Sequence, residues 1–372
     1  MKLHEYQSKE IFRNYGIPTP EGIMCNTPEE ASKAVRQFQT AAIKAQVLVG
    51  GRGKAGGIAI ATPENATETA LRIMGLTIKG LPVGKVLVEQ SVDIKQEFYL
   101  SIALDRTSRR PLLIASASGG VDIEEVARTS PDLIHKELID PETGPQPEQL
   151  EHTATGLGIS DVTSLSGMVN SLYTIYDELD CTLAEINPLV LTGDGGLVAL
   201  DAKINIDDNA LFRQLAMQQL YEKNLEDLDP LEVQVKKLGM SYVAMDGDIG
   251  CIVNGAGLAL ATLDMISREG GTPANFMDVR GGADAFHVGR AVEITASNPR
   301  TKVMLINMFG GLTLCDEIAE GIHDTLQGLD IPVVVRLTGT NQEKGWEILK
   351  DAKVSVAQST AEAAGIAVGL VS

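Results

Sequence analysis

VGGRGKAGG, residues 49–57, is glycine-dense and sets Arg52 and Lys54 between two strand-like runs. Glycine has no Cβ, so backbone N–H groups can close on a ligand's oxygens while the two cations supply charge. That combination points to an anion, with phosphate the first choice. Two known phosphate loops are tested against it. The P-loop pattern G-x-x-x-x-G-K-[ST] fails, because Leu48 stands where its first glycine belongs and Ala55 follows Lys54 where a hydroxyl should hold magnesium. Gly51, Gly53 and Gly56 do spell G-x-G-x-x-G, but that fingerprint opens a helix. Here IAIAT follows and AAIKAQVLV precedes, both strand-like. The stretch is therefore read as a glycine-rich hairpin folded over a nucleotide's phosphates, with an ordinary long hairpin turn as the alternative.

The chain around this loop has 372 residues, 44% hydrophobic and 22% charged, the composition of a soluble globular protein of two or three domains. Its net charge of -19 argues against a nucleic-acid or anionic-membrane partner, so an anionic substrate must be met by a local cationic site. No segment approaches the roughly 18 to 20 apolar residues that span a bilayer, and the first thirty contain no signal-peptide core. A cytoplasmic location is expected. Cys25, Cys181, Cys251 and Cys315 form no C-x-x-C pair, so neither a zinc knuckle nor a disulfide framework is indicated.

Upstream of the loop, LHEYQSKEIFRNYG reads as a short amphipathic helix ended by Gly16, and TPEEASKAVRQF as a second helix with Thr27 and Glu30 as a capping box. Downstream come a helix near 64–74 and the strands KVLVEQ and EFYLSIALD, an α+β region rich in antiparallel signals. DPETGPQPEQL, 140–150, is read as a loop, followed by helical patterning to about Leu179 and a hairpin over 182–203. EKNLEDLDPLE, 222–232, reads as a helix end and linker, which puts a domain boundary between 1–232 and 233–372. Beyond it, IGCIV, ANFMDV, KVMLINM, PVVVRL and KVSVA alternate with helical segments, the signature of a doubly wound parallel sheet. VNGAG at 253–257 and FGGLT at 309–313 each follow a strand and precede a helix, where free N–H groups meet anions.

The hairpin TLAEINPLVLTGDGGLVALDAK is the most informative segment for metal chemistry. A loop over Gly193–Gly195, with Gly195 left-handed, sets Asn187 opposite Asp201 and Glu185 opposite Lys203, all on one face. Asn187 and Asp201 then offer a neutral and an anionic oxygen, suited to a magnesium ion that also takes phosphate oxygens. A solvated polar face is the alternative. Lys44 and Gln46 share parity on the strand entering the glycine loop, and Lys44 in an apolar run needs an anion. Glu89 and Glu97, at strand ends, are candidates for a base or ribose. No two of His4, His135, His152, His287 and His323 have ligand spacing, and none sits in these turns, so a histidine nucleophile would come from a partner.

Taken in order, LHEYQSKEIF, GGRGKAGG, GGVDIEEVA, LIHK, EINPLV, DDNALFR, DGDIGCIVNGAGLA, PANFMDV and VVRLTGTN resemble the β subunits of succinate–CoA ligases (succinyl-CoA synthetases) across nearly the whole chain. The resemblance implies an ATP-grasp domain followed by a flavodoxin-like ligase domain. It implies that Lys44, Gly51, Arg52, Gly53, Glu89, Val92 and Glu97 bind ATP or ADP, and that Asn187 and Asp201 ligate Mg2+. Glu185 would steady a phosphohistidine carried by an α subunit, and Asn254, Gly311, Leu312 and Thr313 would meet the acid's carboxylate. CoA would be held mainly by the α subunit. Departures are Arg280 before Gly281 and Gly282, Thr338, and GGLT at 310–313, all bearing on which acid is used. A malate–CoA ligase subunit and a nucleotide-binding regulatory subunit are the competing readings; a dehydrogenase is disfavoured by the strand after the glycine loop.

Overall fold

A computed structural model describes residues 1–228 and 230–371, and the chain divides into two compact units, Met1–Asp227 and Leu228–Ser372. The linker reading at 222–232 spans Asp229, which lies outside the described residues.

The first unit holds two large antiparallel sheets and a two-stranded pair formed by Thr77–Ile78 and Leu81–Pro82. Its strands are β1 (Gly22–Cys25), β2 (Ala41–Ala45), β3 (Ile58–Ala61), β4 (Thr77–Ile78), β5 (Leu81–Pro82), β6 (Val86–Gln90), β7 (Ile94–Asp105), β8 (Arg110–Ser116), β9 (Ile134–Leu138), β10 (Cys181–Thr192), β11 (Leu197–Ala199) and β12 (Lys203–Ile206). The smaller sheet runs β1-β6-β2-β3, and its core is made with helices Pro28–Phe38 and Ala66–Met74 from residues such as Val35, Ile43, Ile73 and Val88. Thr27 caps its helix, accepting from the Glu30 amide at 3.2 Å. Glu30 in turn accepts from the Asn26 amide, one residue before the cap, so the expected box is displaced by one position. The larger sheet runs β11-β10-β7-β8-β9, with β12 also on β10. Its core is shared with helices Glu5–Asn14, Pro147–Leu157 and Val162–Glu178.

The loop expected over 140–150 is shorter than that. The helix Pro147–Leu157 begins inside it, with Pro147 in the first turn, where its missing N–H costs nothing. Proline there marks a start of helix that composition alone reads as a break.

The second unit adds β13 (Ser241–Ala244), β14 (Ile249–Val253), β15 (Asn275–Asp278), β16 (Val303–Gly310), β17 (Val333–Gly339) and β18 (Val354–Val356), in the order β13-β15-β14-β16-β17-β18. The last five strands in sequence are parallel and follow the flavodoxin-like 2-1-3-4-5 order. Sequence patterning missed β13, which pairs antiparallel with β15. Only residues 245–248 join it to β14, too few for the crossover that a parallel neighbour requires. The central strands are buried throughout, apart from Phe309 near the end of β16, and read as apolar runs because helices cover both faces. One face packs on helices Ala285–Ser297 and Cys315–Leu326 and the other on Ala256–Arg268 and Thr360–Val371. Among the described residues no helix is long and apolar enough to cross a membrane.

Candidate active site

The hairpin over 182–203 sets the first part of the site. Glu185 pairs with Lys203, Leu189 with Ala199 and Leu191 with Leu197, one register on both sides of a short break. That register places Asn187 and Asp201 across from each other. The turn closes through Thr192 N to Gly196 O and Gly195 N to Thr192 O, both 2.9 Å, with Gly195 at φ +91°. The left-handed glycine fixes loop length and so fixes which side chains share a face.

Gly51, Arg52, Gly53, Glu185, Asn187 and Asp201 line one cavity of about 810 Å³. Asn187 accepts from the Gly120 amide (2.8 Å) and donates to the Val121 carbonyl (2.9 Å), pinning the GGVD turn to the cavity wall. The Tyr99 hydroxyl donates to the Glu185 carboxylate at 2.8 Å, and Lys203 stands 3.8 Å from it. Burial, reinforced by Glu185, raises the Tyr99 pKa, so the phenol remains the donor. Sequence reading missed Tyr99; its signal is the cross-strand register, which puts Glu185 opposite Ser101 and diagonal to Tyr99.

The glycine loop joins β2 to β3, as expected for a hairpin. Its later amides turn inward: Ala55 N to Gly51 O, Gly56 N to Gly53 O and Gly57 N to Arg52 O. The amides of Gly51 to Lys54 have no backbone partner among the described residues, so the first half of the loop keeps its N–H groups available to an anion.

Lys44 and Glu89 are placed differently from the cavity-lining set. Both are buried, Glu89 to 1% exposure, and they pair at 2.6 Å. Lys44 also donates to Glu5 (3.1 Å) and to the Leu200 carbonyl (2.6 Å), while Lys9 binds Glu89 (2.5 Å) and Glu5 (2.8 Å). The anions that meet Lys44 here are protein carboxylates. Gln46, sharing its parity, reaches the same Glu5 at 3.2 Å. Glu5 also receives Arg52 at 2.5 Å. Burial alone would push the Glu5 pKa up, but Arg52, Lys44 and Lys9 together hold it well below the carboxylate range. Glu5 and Lys9 were overlooked in the sequence. The available signal was their i, i+4 spacing on the stripe that carries the fully buried Phe12. Val92 lies half-buried between β6 and β7, and Glu97 sits opposite Val190 with its carbonyl accepting from Gly119.

The donor set suits a hard divalent cation in kind: an amide oxygen, a carboxylate, and room in the cavity for phosphate oxygens. Asp201 already attracts a cation, since one Arg52 nitrogen bonds both of its oxygens at 2.9 and 2.7 Å. The residues present therefore fit Mg2+ with Arg52 standing in for it.

The second unit carries its own set of residues, at the point where the strand order reverses between β14 and β16. Asn254 follows β14, and its amide donates to the Phe309 carbonyl (2.7 Å) and accepts from the Phe309 amide (2.9 Å), bracing the end of β16. Gly311 and Leu312 are exposed, Leu312 to 87%, whereas Thr313 is buried and accepts from the Gly282 amide at 2.8 Å. Arg280 adopts a left-handed φ of +65° with its amide held by Asp278, whose same oxygen also accepts from Gly255. Thr338, opposite Phe309 on β17, hydrogen-bonds to Gln342. Gly339 is at φ +120°, and a Cβ there would lie 2.2 Å from the Gly310 carbonyl oxygen. Gly339→Ala is expected to destabilise this unit by about 2–4 kcal/mol through both strain and overlap, measured by denaturant unfolding.

The sheet order, the cleft and the switch-point turn together define an ATP-grasp CoA ligase. An ATP-grasp domain family matches residues 2–191 and a CoA-ligase family residues 252–369. The chain is 46% identical to the succinate–CoA ligase [GDP-forming] subunit β of Thermus thermophilus, covering 100% of this chain and 99% of that protein. It is 48% identical to the [ADP-forming] subunit β of Anaeromyxobacter dehalogenans, covering 99% and 98%. ATP citrate lyase from Methanothrix soehngenii shares the fold, with a TM-score of 0.69 at 20% identity over 99% of each chain. The chain belongs to the succinate–CoA ligase β-subunit family.

Proposed function

We infer that this chain is the β subunit of a succinate–CoA ligase, forming succinyl-CoA from succinate and CoA at the expense of ATP, reversibly, through a phosphohistidine on an α subunit. The observation that carries this reading is the union, in one cavity, of the cationic glycine loop with Glu185, Asn187 and Asp201. Relatives matching end to end at 44–48% identity are succinate ligase subunits, which favours succinate over malate and turnover over regulation. Cysteines that are all free and buried suit a reducing cytoplasm.

Phosphoryl transfer depends mainly on positioning and neutralisation of charge. Arg52, Lys54 and the open amides of Gly51 and Gly53 hold the polyphosphate, with Val92 and Glu97 further along the nucleotide. Lys44 and Glu89 act from beneath, setting the field of the pocket floor. Asn187 and Asp201 would hold Mg2+, which neutralises the β- and γ-phosphate oxygens when bound. Glu185, fixed by Tyr99, accepts a hydrogen bond from the α-subunit histidine and keeps its ring oriented. That histidine splits one difficult transfer into two easier ones. In the second unit Asn254 and the Gly311-Leu312-Thr313 turn receive the acid's carboxylate, with CoA held mainly by the α subunit.

The chain mixed with its α subunit, Mg2+ and γ-labelled ATP is expected to label one α-subunit histidine, with label released by succinate and CoA together. Absence of labelling would overturn the reading in favour of a regulatory subunit. Tyr99→Phe should slow labelling roughly 10-fold, with nucleotide affinity unchanged.

A further inference from the structure

We propose that Arg52 is a placeholder for the divalent cation at Asp201, pivoting on Glu5, so that the cation enters the cleft together with a nucleotide and not ahead of it. The proposal rests on the assignment of Asp201 as a cation ligand. Both Asp201 oxygens are bonded by the Arg52 guanidinium, and one also accepts from the Ala202 amide at 2.7 Å. A divalent ion arriving alone must displace the guanidinium nitrogen whose hydrogen bonds both go to Asp201, and must do so against its positive charge.

The surrounding charges are matched. Glu5, Glu89 and Asp201 face Lys9, Lys44 and Arg52 with every one of these side chains at or below 25% exposure. A lone divalent ion would add uncompensated positive charge to this matched cluster. A polyphosphate changes this, because phosphate oxygens accept guanidinium hydrogen bonds as readily as a carboxylate does. Arg52 can then exchange one anion for another and leave Asp201 to the metal.

The two ends of the contact differ in freedom. Glu5 sits in the first turn of helix Glu5–Asn14 and is held by Lys9, Lys44 and Gln46 as well as Arg52. Arg52 stands among glycines, with Gly51 at φ +85° and Gly56 at φ +75°. Glu5 is thus the fixed point, a positioning residue that keeps the guanidinium within reach of the cleft whichever anion its other nitrogen binds.

The test is binding of Mn2+ to the full chain in the absence of nucleotide, followed by the electron paramagnetic resonance of free Mn2+. Arg52→Gln is expected to bind Mn2+ at least 10-fold more tightly than wild type, and Arg52→Gln/Asp201→Asn to lose that gain. Arg52→Lys, whose single nitrogen cannot hold Glu5 and both Asp201 oxygens as two nitrogens do, should fall between, and serves alone if the glutamine variant does not fold. Binding by folded variants no tighter than wild type, or a gain that survives Asp201→Asn, overturns the proposal. Labelling of the α-subunit histidine by the wild-type complex is measured alongside. If it persists while the Mn2+ result is negative, the placeholder fails and the ligase reading stands.

Discussion

Asp201→Asn is expected to slow magnesium-dependent phosphorylation of the α-subunit histidine on the order of 100-fold, while the unfolding temperature moves by no more than about 4 °C. The substitution keeps shape and one oxygen but removes the charge that draws a cation to this end of the cleft. Asn187 alone cannot replace it, because its amide oxygen is neutral and already accepts from Gly120. Folding is affected less. Arg52 retains Glu5 at 2.5 Å and the Ala45 carbonyl at 3.1 Å after Asp201 loses its charge. Single-turnover labelling across a magnesium titration checks this, and labelling with wild-type magnesium dependence would remove Asp201 from the metal site.

Glu5→Leu carries the largest expected effect on stability. The Glu5 side chain is 1% exposed and bonds three cations. Deleting one partner of a buried ion cluster leaves its three cations facing only Glu89 and Asp201, at a cost of about 3–5 kcal/mol. For a unit of this size that is a fall in unfolding temperature of roughly 10 °C. The pH dependence follows from the depressed Glu5 pKa. A carboxyl whose folded pKa lies below its unfolded value of 4.5 contributes stability that is complete above pH 4.5 and is lost as pH falls towards the folded value. Wild type should therefore lose stability on acidification through that window more steeply than Glu5→Leu. Calorimetry at pH 7 and at successively lower pH values measures both, with Glu68→Gln, at an exposed position, as the control. Equal pH slopes would show that Glu5 is not the group responsible.

Much of the site was readable because its rules are local. Glycine loops, turn length and strand alternation act over a few residues, so Glu185, Asn187, Asp201 and Lys203 could be put on one face from the hairpin alone. The parallel sheet of the second unit was equally legible, since strands buried on both faces must be apolar throughout. Two readings failed where one local signal has two meanings. Pro147 opens a helix instead of breaking the chain, and Ser241–Ala244, an edge strand with only Tyr242 buried, lacks the buried pattern of the strands inside the sheet.

The sequence by itself determined the two-unit plan, the hairpin register and, separately, the cationic loop and the metal-type oxygen pair, because each depends on backbone periodicity and turn geometry over short spans. Tertiary structure decided which charges meet. Glu5 reaches Lys44 and Arg52 across 39 and 47 residues, and Arg52 reaches Asp201 across 149. Coulombic pairing has no sequence period, and only the folded chain, by excluding water, makes those particular partners necessary.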